Sequence, residues 1–185
     1  MVRVGQEMTN ARSGERFVWR ATRESTGGAY CEFDLYLDAE AKVAAAHRHP
    51  QQEERFTVVT GRFTLVADGR TSTLDPDEVG VVPVGAAHSW RNTTGQPSHV
   101  VVRLTPALQI EDYFEKFCDI ATAGKAGRTG LPRNPLQLAV LLDGYREEFA
   151  FATPAQQRVL GPLLSGMARL GRRFGFRSRC EGGAD

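Results

Sequence analysis

N-terminal to Pro106, apolar and β-branched residues alternate with polar ones in short runs divided by turn residues, the pattern of antiparallel strands. The runs predict strands at 16–22, 29–37, 55–60, 62–67, 70–74, 79–82, 87–91 and 99–104. Asp68-Gly69 has the spacing of a tight hairpin turn, and Gly61 separates two further runs. Both predict sequential antiparallel neighbours, and the whole reads as an antiparallel barrel or sandwich.

Beyond Pro106 the period shifts to about 3.6. Ile110, Tyr113, Phe114, Phe117 and Ile120 share one stripe, which predicts a helix over 109–123. Pro135 opens a second helix, predicted to run to 149, and Thr153-Pro154 opens a third, predicted to run to 173. Pro162 inside the third predicts a kink or a break. The expected organisation is a β-barrel over 1–106, a helical extension over 107–177 and a disordered tail over 178–185. Each helix is expected to be amphipathic and to bury its stripe on the barrel, because so short a segment is thin for a core of its own. Phe114, Phe117, Leu141 and Leu142 are the expected anchors. The Gly-rich, basic loop 124–134 is placed to reach the barrel mouth as a lid.

Composition narrows the function classes. The chain has 185 residues, 41 % hydrophobic and 24 % charged, so wholesale disorder is excluded. Lys and Arg number 23 against 22 Asp and Glu, a formal charge of +1, which argues against a protein that works by neutralising nucleic-acid phosphates. Six arginines and no acid lie between 158 and 179, a bias that suits the end of the third helix. No apolar stretch predicts a membrane span, and residues 1–19 lack the apolar core of a secretory signal. Cys31, Cys118 and Cys180 are too scattered for a disulfide framework or a CxxC site, so reduced thiols and a cytoplasmic location are expected.

Candidate chemistry concentrates in two segments. In an extended chain His47 and His49 point to the same face, and Glu54, at the start of the next run, can approach the same point. His88 follows Pro83-Val84-Gly85, where a tight turn feeds another strand. Three imidazoles and one carboxylate suit a divalent transition metal and leave open positions for substrate or dioxygen. His99 reads as a solvated surface histidine. Glu53 is a rival for Glu54, although Glu54 shares its inward parity with Phe56 and Val58.

Residues 47–61 fit H-x-H-x4-E-x6-G, and residues 83–92 fit P-x-G-x2-H-x3-N. In this order and spacing they resemble the two motifs of the cupin superfamily, over roughly residues 28–106, as in small single-domain bacterial cupins and quercetin-dioxygenase-like members. The resemblance implies a mainly β fold, a cupin-type antiparallel jelly-roll barrel, whose interior holds one divalent transition metal (Fe, Mn, Ni, Co, Cu or Zn) on His47, His49, Glu54 and His88. Two turn glycines usual in the family are replaced here by Ala41 and Asp77.

Trp90 should share the inward direction of His88, and Phe56 that of Glu54, while Phe33 alternates inward on a preceding strand. These aromatics are either ordinary barrel core or an apolar substrate cup. Arg103 is either an outward salt-bridge residue or an inward anchor in the substrate pocket. The resemblance implies a metal-dependent enzyme for an enolic or aromatic, largely apolar small molecule. Glu54 would be its catalytic base and dioxygenase (oxidoreductase) chemistry the leading expectation. A non-oxidative isomerase, lyase or cyclase, and a metal-containing ligand-binding or sensor protein, are the alternatives. Expected partners are a small-molecule substrate and a second copy of the chain in a homodimer, with 16–22 a contributor, and neither nucleic acid nor membrane.

Overall fold

The computed structural model describes residues 1–180 apart from 44 and 93. Eleven strands and three helices are described, in the order β1 (Glu7–Asn10), β2 (Glu15–Ala21), β3 (Cys31–Leu37), β4 (His47–Arg48), β5 (Glu53–Thr60), β6 (Phe63–Ala67), β7 (Arg70–Leu74), β8 (Val79–Val82), β9 (His88–Arg91), β10 (Ser98–Thr105), α1 (Ile110–Thr122), α2 (Pro135–Gly144), β11 (Ala150–Phe151) and α3 (Pro154–Arg173). One sheet has the order β1-β2-β3-β10-β5-β8 and the other β11-β4-β9-β6-β7. Every named pair is antiparallel, and the two sheets form a jelly-roll barrel.

The period-two runs become strands within a residue or two of their expected ends. Asp68 and Gly69, at φ 46° and 77°, close the β6–β7 hairpin, with Ala67 opposite Arg70. Gly61 does something else. It connects β5 and β6, which lie in different sheets, so the expected pairing of those neighbours is corrected. Its φ is 78°, and a Cβ there would stand 2.7 Å from that of Ser98, so glycine is required where the chain crosses between sheets. Asp77 holds φ 70°, the left-handed geometry of the glycine it replaces, which its short polar side chain tolerates.

β1 and β11 are absent from the sequence-based expectation, because four residues with one apolar position and a two-residue strand carry no periodic signal. β1 also occupies the outer edge of β2, while β3 occupies the other. The segment expected to offer a free edge for dimerisation is therefore paired on both sides.

The interior is aromatic. Phe17, Trp19, Phe33, Phe56 and Phe63 are each at most 1 % exposed. Phe114 of α1 reaches into this set, 4.7 Å from the ring centre of Phe17 and 5.3 Å from that of Phe33. Ile110, Tyr113, Phe117, Cys118 and Ile120 of α1 and Leu141 of α2 belong to the same buried cluster as the strands. Phe114 and Leu142 are only half-buried, whereas Ile110 is fully buried against the barrel and Val140 is buried in a separate cluster with Ala139 and Ala168.

Two helices depart from expectation. α2 stops at Gly144 rather than 149 and is apolar over most of its circumference, not amphipathic. α3 runs unbroken from Pro154 to Arg173 with Pro162 inside it, so of the expected kink or break the break is absent, and Thr153 with Gln156 forms a capping box at its start. α3 packs on α2 through Ala168 and Gly171, where a Cβ on Gly171 would meet Val140 at 2.7 Å. Close approach through small residues leaves Val159, Leu163, Leu170 and Phe174 exposed, so the expected burial of an apolar α3 stripe on the barrel is corrected.

Of the tail expected to be disordered, 178–180 make contacts: the Ser178 carbonyl accepts from Tyr145 Oη (3.4 Å), Arg179 donates to Gln109, and Cys180 Sγ donates to Asp119 (2.9 Å). Residues 181–185 lie outside the described residues. Among the described residues no helix is long and apolar enough to cross a membrane.

Candidate metal centre

His47 lies on β4, and His88 opens β9 directly opposite it in register. His49 follows the end of β4, its carbonyl held by the Gly85 N–H at 2.8 Å, which ties the His49 segment to the turn before β9. Glu54 is the second residue of β5, inward with Phe56 and Val58. It is 7 % exposed, whereas Glu53 faces solvent. The ligand atoms of His47, His49 and His88 lie within 4.8 Å of one another, so the three imidazoles could hold a metal ion. Glu54 Oε2 stands 2.8 Å from His88 Nε2 and 3.4 Å from His49 Nε2.

The tautomers follow from the backbone. Nδ1 of His47 faces the Ala45 carbonyl at 3.1 Å, Nδ1 of His49 the Glu148 carbonyl at 2.6 Å, and Nδ1 of His88 the Ala86 carbonyl at 3.3 Å. A carbonyl can only accept, so each Nδ1 carries hydrogen, and in its neutral form each ring then keeps the Nε2 lone pair for the centre. Nε2 of His49, Nε2 of His88 and Oε2 of Glu54 are all buried without an aligned hydrogen-bond partner. Orphaned polar atoms that converge on one point are costly unless something binds there, and their N/O chemistry fits a divalent transition ion.

Charge at the site is tightly coupled. Desolvation, reinforced by the neighbouring His88 and His49, pulls the His47 pKa down to about 3, so this ring is neutral. Burial alone would raise Glu54, but His49 and His88 override it and hold the carboxyl well below the ordinary carboxylate range. Burial likewise opposes charge on His88, and the Glu54 contact outweighs it and shifts the imidazole upward.

The cluster faces a partly open cavity of about 70 Å3 whose walls include Phe33, Phe56, Trp90, Tyr113 and Phe149. Phe33, Phe56 and Trp90 thus line it as their parity predicts. Arg103 does not. Val100, Val102 and Leu104 take the inward parity of β10, so Arg103 points out, where its guanidinium pairs with Glu32 at 2.7 Å and lies 4.3 Å from the Tyr30 ring centre. Its place in the substrate pocket is withdrawn. His99 is corrected too: it is partly buried, 2.6 Å from Asp34 Oδ1 and stacked on Tyr36 at 4.3 Å.

Three contributors escape the motif-based reading. Phe149 lies 5.4 Å from the His47 ring and 5.0 Å from that of His49, roofing both. Glu148 fixes His49 through its carbonyl, and β11 pairs with β4. No local pattern signals these, because they arise from residues far along the chain. Glu15 also borders the cavity, and burial lifts its carboxyl to about 7 against a hydrogen bond from Ser13. Its alternation with Phe17 and Trp19 could have found it. Of the 124–134 loop, Thr129 and Leu131 reach the cavity wall, and the Gly130 carbonyl accepts from Asn10 Nδ2 at 3.2 Å.

Residues 35–103 match the family described as the cupin domain. Among curated proteins, the chain is 35 % identical over 60 residues to the polyketide synthase CurC of Streptomyces cyaneus, a match that covers 32 % of this chain and spans 39 % of that relative's length. Among solved structures, KdgF from Halomonas sp. superposes with a TM-score of 0.50 at 18 % identity, over 60 % of this chain and 94 % of that one, a likeness of fold. A sugar phosphate isomerase from a cupin superfamily of Silicibacter pomeroyi aligns at 24 % identity and a TM-score of 0.45, over 56 % of this chain and 67 % of that one.

Proposed function

With a cupin domain at residues 35–103 as premise, we propose that the chain is a metal-dependent enzyme acting on a largely apolar, enolisable or phenolic small molecule. One observation carries this reading: Nε2 of His49, Nε2 of His88 and Oε2 of Glu54, buried without an aligned hydrogen-bond partner, converge beside His47 on an aromatic cavity. Iron, manganese, nickel, cobalt, copper and zinc all accept such donors. A bound ion supplies Lewis acidity toward a substrate oxygen. The chain supplies the rest. The Ala45, Glu148 and Ala86 carbonyls orient the imidazoles, and the aromatic walls exclude water from the reacting end of a flat substrate. Glu54, kept ionised by His49 and His88, is the carboxylate placed beside the imidazoles to hydrogen-bond and take up the proton of a substrate C–H or O–H group.

The partial likeness to a polyketide synthase component supports a substrate with several carbonyl groups and a non-oxidative cyclisation or isomerisation. Dioxygenase chemistry is the second reading, favoured by the apolar walls beside the ligands, where dioxygen and an enolate could meet. Metal analysis, followed by turnover of 1,3-diketones and flavonols with and without air, tests both. Stoichiometric metal and turnover in nitrogen support the first, and turnover only in air supports the second. A metal-loaded chain that binds these compounds without turning them over is a ligand-binding protein instead. A chain that takes up no metal overturns the proposal.

A further inference from the structure

Outside the metal cavity lies a second one, of about 170 Å3, enclosed by α2, α3, β11 and the segment before β4. The two share Val43, His47, Tyr113, Leu131 and Phe149 as a common wall. The outer chamber is largely apolar, with Leu142, Leu164 and Phe151 among its lining beside Gln157, and Arg146 is its one residue with permanent charge. No carboxylate lines it, so a cationic ligand would find no counter-charge there.

Arg146 is available to a ligand. Among the described residues it makes no salt bridge; its charge acts on Asp143, but that carboxylate is held by Arg172 at 2.5 Å and by the Ser165 hydroxyl at 2.8 Å. The inner cavity is also too small for a whole substrate. Its 70 Å3 is less than half the 170 Å3 of the outer chamber. A substrate whose reacting end meets the imidazoles must keep its body elsewhere, and the outer chamber adjoins the inner one through Phe149 and His47.

We propose that this outer chamber is the main substrate-binding site and selects an apolar or aromatic carboxylate, whose charge meets Arg146 and whose other end passes Phe149 to reach the metal centre. The use of the chamber in catalysis rests on the enzyme reading given above, but its occupancy does not.

The test is calorimetric titration of 2-naphthoate and its neutral counterpart 2-naphthalenemethanol into the full chain, metal-loaded and metal-stripped. The acid is expected to bind about five- to tenfold more tightly than the alcohol, the scale of one partly screened charge pair. Arg146→Gln is expected to abolish that preference while leaving the alcohol's affinity unchanged. Leu142→Trp, which fills the chamber, is expected to weaken both by at least about tenfold. Leu164→Phe serves the same purpose should that variant not fold. Equal binding of acid and alcohol overturns the proposal, as does acid binding that needs the metal and ignores Arg146 and Leu142. A chain that shows the preference but takes up no metal keeps the chamber and removes the enzyme. A metal-loaded chain without the preference removes the chamber alone.

Discussion

Nδ1 of His49 donates to the main-chain carbonyl of Glu148 across 2.6 Å, joining a motif histidine to the helical extension 99 residues further along the chain. The carbonyl is held in place by its own side chain, since Glu148 Oε1 accepts from the Gln109 N–H at 2.9 Å. Glu148→Ala removes that anchor and is expected to lower metal affinity about tenfold, the low end of losses seen when a ligand's supporting hydrogen bond is disturbed. Glu148→Gln keeps an acceptor oxygen and should retain most of the affinity. Chelator competition measures both, and wild-type affinity in the alanine variant would sink the idea.

Ligand replacements should separate sharply from their neighbours. His49→Ala and His88→Ala are each expected to lose most of the bound metal by elemental analysis, whereas Glu53→Ala and Arg103→Ala keep it. Both of the latter side chains face solvent. The Arg103 pair with Glu32 is exposed enough that its loss should cost no more than about 1 kcal/mol of stability. Metal retained by His49→Ala would move the site elsewhere.

Glu15 makes stability depend on pH in an unusual direction. Its carboxyl titrates at about 7 when folded, against 4.5 as the reference for the unfolded chain. Between those values the folded chain binds the extra proton, so this group's contribution to stability falls as pH rises through the window. The difference amounts to on the order of 3 kcal/mol. Urea unfolding at pH 5 and pH 8 should show the native chain losing roughly that much relative to Glu15→Gln, which has no proton to release. Parallel pH profiles for the two chains would refute the assignment.

Association is expected through the free edge of β8. Val79 and Val81 are 43 % and 40 % exposed there, beside Val59 at 40 % on β5, and β8 ends its sheet with no outer partner among the described residues. Pairing two such edges about a twofold axis would satisfy the ladder and cover the valines. Light scattering at micromolar concentration should give twice the 20.3 kDa chain mass, and Val81→Lys should give the single chain with its metal intact. A wild-type particle of one chain mass excludes this interface.

How far the sequence could be read depends on whether a feature is local. Parity with Phe56 and Val58 separates Glu54 from Glu53, whereas the sequence leaves Arg103 outward or inward and the buried Val100, Val102 and Leu104 of β10 decide it. Gly61 is legible as a turn, but nothing near it says that the chain leaves one sheet for the other, because that depends on which strands accept β5 and β6. α2 illustrates the limit. Leu138, Leu141, Leu142, Tyr145 and Phe149 continue a helical stripe, yet the helix ends at Gly144. The Glu148 carbonyl is taken by His49 and its carboxylate by Gln109, and β11 pairs with β4, so distant partners outbid the local period. The roof that Phe149 forms over the imidazoles follows from that turn and could not be inferred before it.

The two-residue strand β4 carries consequences for biosynthesis. It finds neighbours only in β9 and β11, the second of which lies at Ala150–Phe151. A ribosome has therefore released most of the chain before His47 has both ladders and His49 has its acceptor. Contacts so remote in sequence close late, after local hairpins such as β6–β7. Until residues 148–151 arrive, the emerging polypeptide carries these histidines loose, without the strand pairing and the acceptor that orient them.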